Sequence, residues 1–322
     1  MITGGQTVRM VTRSDVDVAL DRVSGHIRRT PVLELSAQEF PEAAKVWLKL
    51  EQLQLTGSFK ARGAFNRVLS ASEEELAAGA GVVAASGGNA GLAVARAAAR
   101  RNLPARVYVP QTAPEVKVAK LGRLGAHVVR VGREYAAAYD AAIEDAADSG
   151  ALFCHAYDQP EICAGQGTLG SELLDQTGGQ LDTILLAVGG GGLMAGVAAA
   201  TESRARVVGV EPRAIPTLTS ALAAGKPVDV DVSGVAADSL GASRLGGIAH
   251  RVAVRTGVES VLVDDADIRF AREHLWREYR LVVEHGTASA WAALLSGAYR
   301  PSEGERVAVV LCGANTDPAD LG

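Results

Sequence analysis

The sequence predicts an α/β protein with open, mostly parallel sheets covered by helices. Three observations predict it. From Val82 to Val210, short apolar runs alternate with longer helical stretches, the rhythm of βαβ units with right-handed crossovers. The runs are apolar throughout rather than alternating, as in parallel strands buried on both faces. Finally, the run Ile184–Val188 ends in four glycines, Gly189 to Gly192, before an Ala-rich segment begins.

In order, Ser14 is read as the N-cap of a helix running to about Arg28, which Thr30-Pro31 ends. Val32–Leu35 and Val46–Glu51 are read as strands. Gly57-Ser58 is a break, and a helix follows over Phe59–Leu69 with Lys60 at its start. Strands are then expected at Val82–Ala85, Arg106–Pro110, His127–Val131, Leu152–His155, Thr183–Val188, Arg206–Val210 and Arg306–Leu311. Helices are expected at Ala90–Arg101, Glu115–Leu124, Glu134–Asp148, Glu161–Gln176, Leu193–Glu202, Ile215–Ala224, Asp265–Tyr279 and Ala288–Tyr299. Gly225–Gly247 is the least regular stretch, and a loop of that length is usually functional or mobile.

Composition narrows the classes. The chain has 322 residues, 48% hydrophobic and 21% charged, enough for two domains with real cores. A net charge of −5 without a long basic run speaks against nucleic acid or an anionic membrane as partner. The three cysteines, Cys154, Cys163 and Cys312, form no CxxC pair, which fits a reducing, cytoplasmic setting. The N-terminus lacks the apolar core of a signal peptide, and no apolar stretch is long enough to span a membrane. Abundant Ala and Gly with 4% aromatics read as close helix–sheet packing.

Several local constellations carry chemistry. Four residues without Cβ let the backbone turn tightly and aim several N–H groups at one point. A helix starting there adds unpaired N–H groups and its positive dipole end, which makes an anion site, most often for phosphate. Gly190-x-Gly192-x-x-Ala195 also satisfies the dinucleotide pattern, with Glu211 about 20 residues on to hold a ribose. An NAD-dependent oxidoreductase is therefore one open reading. Lys60, just after Gly-Ser-Phe at a helix start, sits where its ammonium form is disfavoured, which suits a nucleophilic or Schiff-base amine. Ser86–Gly91 (SGGNAG) offers a hydroxyl, accessible N–H groups and an amide, suited to a carboxylate and a phenolic oxygen. Taken alone it also reads as an Asn N-cap with turn glycines. Cys312 alone reads as a small core residue. The histidines and cysteines show no zinc spacing, and no GxSxG is present.

Together the segments GSFKARGA, SGGNAG, GQGTLGSEL, VGGGGLMAG and CGANTDP resemble, in order, the fold-type-II pyridoxal-phosphate enzymes, and most closely the serine/threonine dehydratases. The resemblance spans about Arg29 to Pro318. It implies a two-domain, tryptophan-synthase-β-like architecture, with residues 1–79 plus 159–322 as a large cofactor-binding domain and 80–158 as a small one. It implies pyridoxal 5'-phosphate as cofactor, a small amino acid as substrate and a homodimer. Lys60 would be the Schiff-base lysine and Phe59 would lie against the cofactor ring. Gly189, Gly190, Gly191, Gly192 and Leu193 would hold the cofactor phosphate, Asn89 the phenolic oxygen, and Cys312 would face the pyridine nitrogen. Glu284 is counted with the cofactor-binding residues. Ser86, with the N–H groups of Gly87, Gly88, Asn89 and Ala90, would bind the substrate carboxylate. The implied reaction is dehydration and deamination of a 3-hydroxy amino acid, serine or threonine, to a 2-oxo acid and ammonia.

Departures from the family refine this. Serine racemases carry a second serine just before the Gly-Asn of the turn; here that position is Gly87, so elimination with little racemisation is expected. Their divalent-cation site pairs a Glu with an Asp six residues on. Glu211 matches, but Thr217 stands at the second position, and no metal is expected. The common VEPxGA segment reads Val283–Ala288 with His285 in place of proline, read here as a loop residue. Biosynthetic threonine dehydratases continue into a regulatory domain after CGANTDP, so isoleucine feedback of that type is not expected. A β-replacement enzyme of the cysteine-synthase type stays open beside the lyase. Tyr139, His155, Tyr157 and Ser239 are candidates to line the substrate's β-carbon.

Overall fold

Strands buried on both faces sort the chain into two sheets in this computed structural model, which describes residues 9–36, 38–40, 42–77 and 80–321. The expected boundary at residue 79 and the first part of the N-terminal stretch read as leaderless lie outside the described residues.

Helix α1 (Arg13–Val23) leads into β1 (Val32–Glu34) and β2 (Lys45–Lys49), then α2 (Lys60–Ser70) and α3 (Glu73–Ala77). The alternating stretch follows as β3 (Val82–Ala85), α4 (Asn89–Arg100), β4 (Ala105–Val109), α5 (Glu115–Arg123), β5 (His127–Arg130), α6 (Tyr135–Ser149) and β6 (Leu152–Phe153). Next come α7 (Pro160–Gln176), β7 (Thr183–Ala187), α8 (Gly192–Thr201), β8 (Arg206–Pro212), α9 (Thr217–Ala224), α10 (Ala237–Leu240) and α11 (Gly247–Thr256). The chain closes with β9 (Glu259–Val263), α12 (Asp265–Tyr279), α13 (His285–Leu295) and β10 (Arg306–Val310).

The larger sheet has the order β1-β2-β10-β7-β8-β9, and the smaller β5-β4-β3-β6. Every pairing is parallel except β1 with β2. The expected open, mostly parallel α/β class is therefore observed. Because β2, β10 and β7 run the same way, their C-terminal ends share one edge, where open α/β sheets place ligands. That edge carries the segment leading to Lys60, Cys312 and the four glycines.

Small residues set how closely the layers approach. Helices α7 and α8 cross at Gly167 and Gly196: a Cβ on Gly196 would lie 2.1 Å from the Cys163 carbonyl oxygen and 2.5 Å from the Gly167 nitrogen. One face of the larger sheet is covered by a core including Leu169, Met194 and Val252, the other by one built on Ile268, Leu275 and the fully buried Trp291.

Five element readings need correction. Helix α1 is capped by Thr12, not Ser14: Asp15 N–H donates to the Thr12 hydroxyl and Thr12 N–H to the Asp15 carboxylate, a reciprocal box that a lone serine cannot match. It also ends at Val23, well before Thr30-Pro31. Helix α11 and strand β9 are absent from the elements expected above. Gly246-Gly247 resembles loop sequence, although Ile248, Ala249, Val252 and Ala253 form a buried helical stripe, and β9 is an edge strand with mostly half-buried residues. His285 is not in a loop but opens α13.

Candidate active site

Lys60 is placed by an antiparallel bridge between Ser58 and Gly313. Phe59 N–H donates to the Cys312 carbonyl (2.9 Å), and Ala314 N–H to that of Gly57 (2.9 Å). The start of α2 is thereby pinned to the end of β10. The Lys60 amine donates to the Ala156 carbonyl at 2.7 Å and stands 5.0 Å from the Phe59 ring centre. Burial pushes it down to about 8, against the opposing pull of Cys312, Cys163 and Glu284. A lowered amine was expected from the helix start; burial is the larger cause.

The same turn of α2 is anchored beneath by four buried charges. Arg62 donates to both Glu51 oxygens (2.6 and 2.9 Å) and lies 3.0 Å from Glu172. Lys49 donates to Glu172, to the Thr30 carbonyl (2.8 Å) and to Gln176 (2.8 Å). Burial works against the Arg62 cation, but Glu51 and Glu172 outweigh it and hold its pKa above the ordinary value.

The glycine loop is a close-fitting cradle. Gly191 has φ +82°, which a side chain rarely adopts, and caps α8. A Cβ on Gly190 would fall 2.4 Å from the Tyr157 ring, and one on Gly192 2.6 Å from the Tyr157 carbonyl oxygen. Gly189 and Gly190 turn their carbonyls away, accepting from the Thr217 hydroxyl (2.6 Å) and Gly246 N–H (3.1 Å). The first N–H groups of α8 have no acceptor within the helix. Leu193 is buried behind them.

The Ser86 turn joins β3 to α4. Gly88 N–H donates to the Ser86 hydroxyl (3.2 Å). Asn89 does not cap the helix: the N-cap is Gly88, which has no side chain to offer. The Asn89 amide instead donates to both Glu284 oxygens (2.9 and 3.0 Å) and accepts from the Asn315 amide (2.6 Å). Asn315 N–H donates to Glu284 (2.8 Å). Burial raises the Glu284 carboxyl, with Asn89 and Asn315 pulling the other way. At Gly87 a Cβ would meet nothing nearer than a Val109 methyl at 3.5 Å, and Ala90 is buried in the first turn of α4.

Cys312 follows β10. Its thiol is 3.2 Å from the Thr287 hydroxyl, which also donates to the Gly313 carbonyl (3.0 Å). Burial pushes the thiol up to about 12, so it is neutral at physiological pH.

Glu211 corrects one reading. As ribose ligand of an NAD site with Gly190, Gly192 and Ala195 it would have to face a ligand. It is instead fully buried. Its carboxylate accepts from Leu218 N–H (2.6 Å), Thr219 N–H (2.9 Å) and the hydroxyls of Thr219 and Ser260 (2.9 and 3.0 Å), with the Thr217 hydroxyl oxygen 3.0 Å away. It tethers the start of α9, and its hydrogen-bonding capacity is used up.

Around Lys60 the structure brings together Phe59, Cys312 and Glu284, with Asn89 hydrogen-bonded to Glu284, and adds Ala156, Thr287, Asn315 and Gln166. Thr287 and Asn315 lie inside motifs already singled out. Gln166, from the GQGT segment, is buried below Gly192 with neither amide atom hydrogen-bonded within the protein. Ala156 has no signal in sequence, because only its carbonyl matters. The cradle, the depressed amine and the neutral thiol at one sheet edge fit a phosphorylated pyridine aldehyde. The loop can receive a phosphate, the amine can condense with an aldehyde, and the thiol can meet a ring nitrogen without a charge. Among the described residues no helix is long and apolar enough to cross a membrane.

A profile of the pyridoxal-phosphate-dependent enzymes matches residues 23–313. An L-threonine ammonia-lyase of Thermotoga maritima is 33% identical over 311 residues, covering 96% of this chain and 76% of that protein. A phenylserine dehydratase of Ralstonia pickettii is 36% identical over 301 residues, covering 92% of this chain and 91% of that one. Among solved structures, maize serine racemase superimposes with a TM-score of 0.90 at 29% identity, covering 97% of this chain and 96% of that one.

Proposed function

We propose that this chain, which belongs to the fold-type-II pyridoxal-phosphate-dependent enzymes, is a β-eliminating ammonia-lyase. It would convert a 3-hydroxy amino acid such as serine or threonine to a 2-oxo acid and ammonia. Its relatives include both ammonia-lyases and racemases. The observation that favours elimination is Gly87. A racemase needs a proton carrier on each face of the α-carbon, and serine racemases place a serine at this position. Packing leaves room here for a side chain, since a Cβ on Gly87 would have its nearest neighbour 3.5 Å away. The turn nevertheless offers none, so Lys60 is the one base.

In this reading Lys60, Phe59, Asn89, Gly189, Gly190, Gly191, Gly192, Leu193, Glu284 and Cys312 hold the cofactor. When bound, the cofactor supplies an electron sink that acidifies the α-carbon. The Ser86 hydroxyl and the N–H groups of Gly87 to Ala90 receive the substrate carboxylate. The Lys60 amine, down at about 8, is partly unprotonated at neutral pH and takes the α-proton. The electron pair left on the α-carbon forms the double bond to the β-carbon as the bond from the β-carbon to the hydroxyl oxygen breaks, and the hydroxyl leaves as water with, in net, the proton that Lys60 took. The released enamine rearranges and hydrolyses to the oxo acid and ammonia. The uncharged Cys312 thiol does not hold a proton on the ring nitrogen as a carboxylate would, which favours elimination over transamination. Residues 1–79 with 159–322 would form the large domain and 80–158 the small one, in a cytoplasmic homodimer.

Incubating the cofactor-loaded enzyme with serine or threonine should release oxo acid and ammonia in equal amounts. Product that forms only with added sulfide would move the protein to the β-replacement class. Inversion of the α-carbon without ammonia would make it a racemase.

A further inference from the structure

A chain of aromatic rings runs beside Lys60. Tyr135 and Tyr139 have ring centres 6.0 Å apart, Tyr139 and His155 5.7 Å, and His155 and Tyr157 4.7 Å. The last two pairs meet edge to face. At one end the Tyr157 ring lies over Gly190 of the glycine loop. At the other, the Tyr135 hydroxyl donates to the carbonyl of Ala85 (3.2 Å), the residue before Ser86. Between them, Ala156 joins His155 to Tyr157 and holds the Lys60 amine. The rings therefore run from the glycine loop, past the base, to the turn that would take the substrate carboxylate. They are only partly covered: Tyr135 is 50% exposed, and Tyr139, His155 and Tyr157 are half-buried.

The wall is also uncharged. His155 Nδ1 accepts from the N–H groups of Tyr157 (3.1 Å) and Asp158 (2.9 Å), which leaves its one proton on Nε2. Burial pushes His155 down to about 4, with Asp158 opposing and Lys60 assisting. The Asp158 carboxylate is turned to Gly247 and Ile248 N–H (2.9 and 3.0 Å). Apart from Lys60, two cations on this side are paired with carboxylates: Arg244 with Asp229, and Lys117 with Asp238.

We propose that this aromatic wall is the subsite for the substrate's β-substituent, and that it selects 3-hydroxy amino acids bearing an aromatic ring on the β-carbon. The proposal rests on the lyase reading above and names its substrate class. An aryl group would join the edge-to-face series, each such pair adding to what area burial provides. A methyl group or hydrogen would leave the wall unfilled. A second carboxylate would find no cation among the four rings themselves, and its burial against them would cost desolvation.

The test separates binding from turnover. L-Phenylalanine, L-alanine and L-aspartate have no β-hydroxyl to lose, so each can be titrated calorimetrically against the cofactor-loaded enzyme. L-Phenylalanine should bind about tenfold more tightly than L-alanine, with L-aspartate weakest. Tyr139→Leu keeps apolar bulk but loses the ring, and should bring L-phenylalanine close to L-alanine. Tyr135→Leu, at a more exposed position on the same helix face, gives the same reading should the first variant fold poorly. In turnover, kcat/KM for 3-phenylserine should exceed that for threonine by about tenfold. If L-phenylalanine binds no better than L-alanine, or its preference survives the tyrosine variants, the subsite is overturned even where serine and threonine release ammonia. An aromatic preference without ammonia from any 3-hydroxy amino acid would uphold the subsite and overturn the lyase reading instead.

Discussion

The Lys60 amine hydrogen-bonds the Ala156 carbonyl at 2.7 Å across 96 residues of sequence. The bond joins the start of α2 to the segment after β6. It gives the amine an acceptor while the surrounding burial makes the charged form costly.

Lys60→Ala should abolish the visible absorbance that appears on adding cofactor and cut ammonia release by about 10²–10⁴-fold. Spectra and a coupled ammonia assay check it. Turnover near wild type would remove Lys60 from the mechanism.

The contribution of Lys60 to the stability of the cofactor-free protein should rise between about pH 8 and the ordinary lysine value of 10.5. Across that window the unfolded chain holds the Lys60 proton and the folded one has released it, so raising the pH favours the fold. Below about 8 both states are charged and the burial cost is fully present. Lys60→Met should therefore stabilise the cofactor-free protein at pH 7 by on the order of 2 kcal/mol and remove that slope. Urea melts at pH 7 and 9.5 measure both, and a parallel pH response of the two proteins contradicts the account.

Arg62→Met should destabilise by about 3–5 kcal/mol, because Glu51 loses its partner in a fully buried site. Arg62→Lys should recover little, since one ammonium cannot replace the two-pronged contact with Glu51. Chemical denaturation distinguishes the variants; equal midpoints for wild type and Arg62→Met would show the network to be energetically neutral.

Gly87→Ser should fold, since the nearest atom to its Cβ position is 3.5 Å away. It should gain interconversion of L- and D-serine at the expense of clean elimination. Chiral chromatography reads the outcome, and an enantiomerically unchanged serine pool would undercut the one-base argument.

Glu211→Ala should cost about 3 kcal/mol by stranding the N–H groups of Leu218 and Thr219. Titration with NAD should give no binding heat. Saturable NAD binding lost in Glu211→Ala would restore the dinucleotide reading.

Much of the fold is legible in the sequence because it is local. The apolar runs fall where β3, β7 and β8 lie, since a strand buried on both faces needs no partner information to be recognised. Edge strand β9 and helix α11 are not legible, because their apolar pattern is weak or sits beside loop-like glycines. The Ser86 turn can be seen, but its Asn89 is indistinguishable from a helix cap until Glu284 and Asn315 are found beside it, 195 and 226 residues away.

By itself the sequence determined the parallel α/β class, and it singled out Gly189–Gly192 as an expected anion site and Lys60 as an expected reactive amine, each from a few consecutive residues. Tertiary structure decided what those groups experience. Glu211 has the spacing of a ribose ligand, yet Thr219 and Ser260 close around it and make it a tether. Lys60 has a lowered pKa chiefly because α2 is buried against the end of β10. Burial and partner choice are set by strand pairings between distant segments, and spacing along the chain does not contain them.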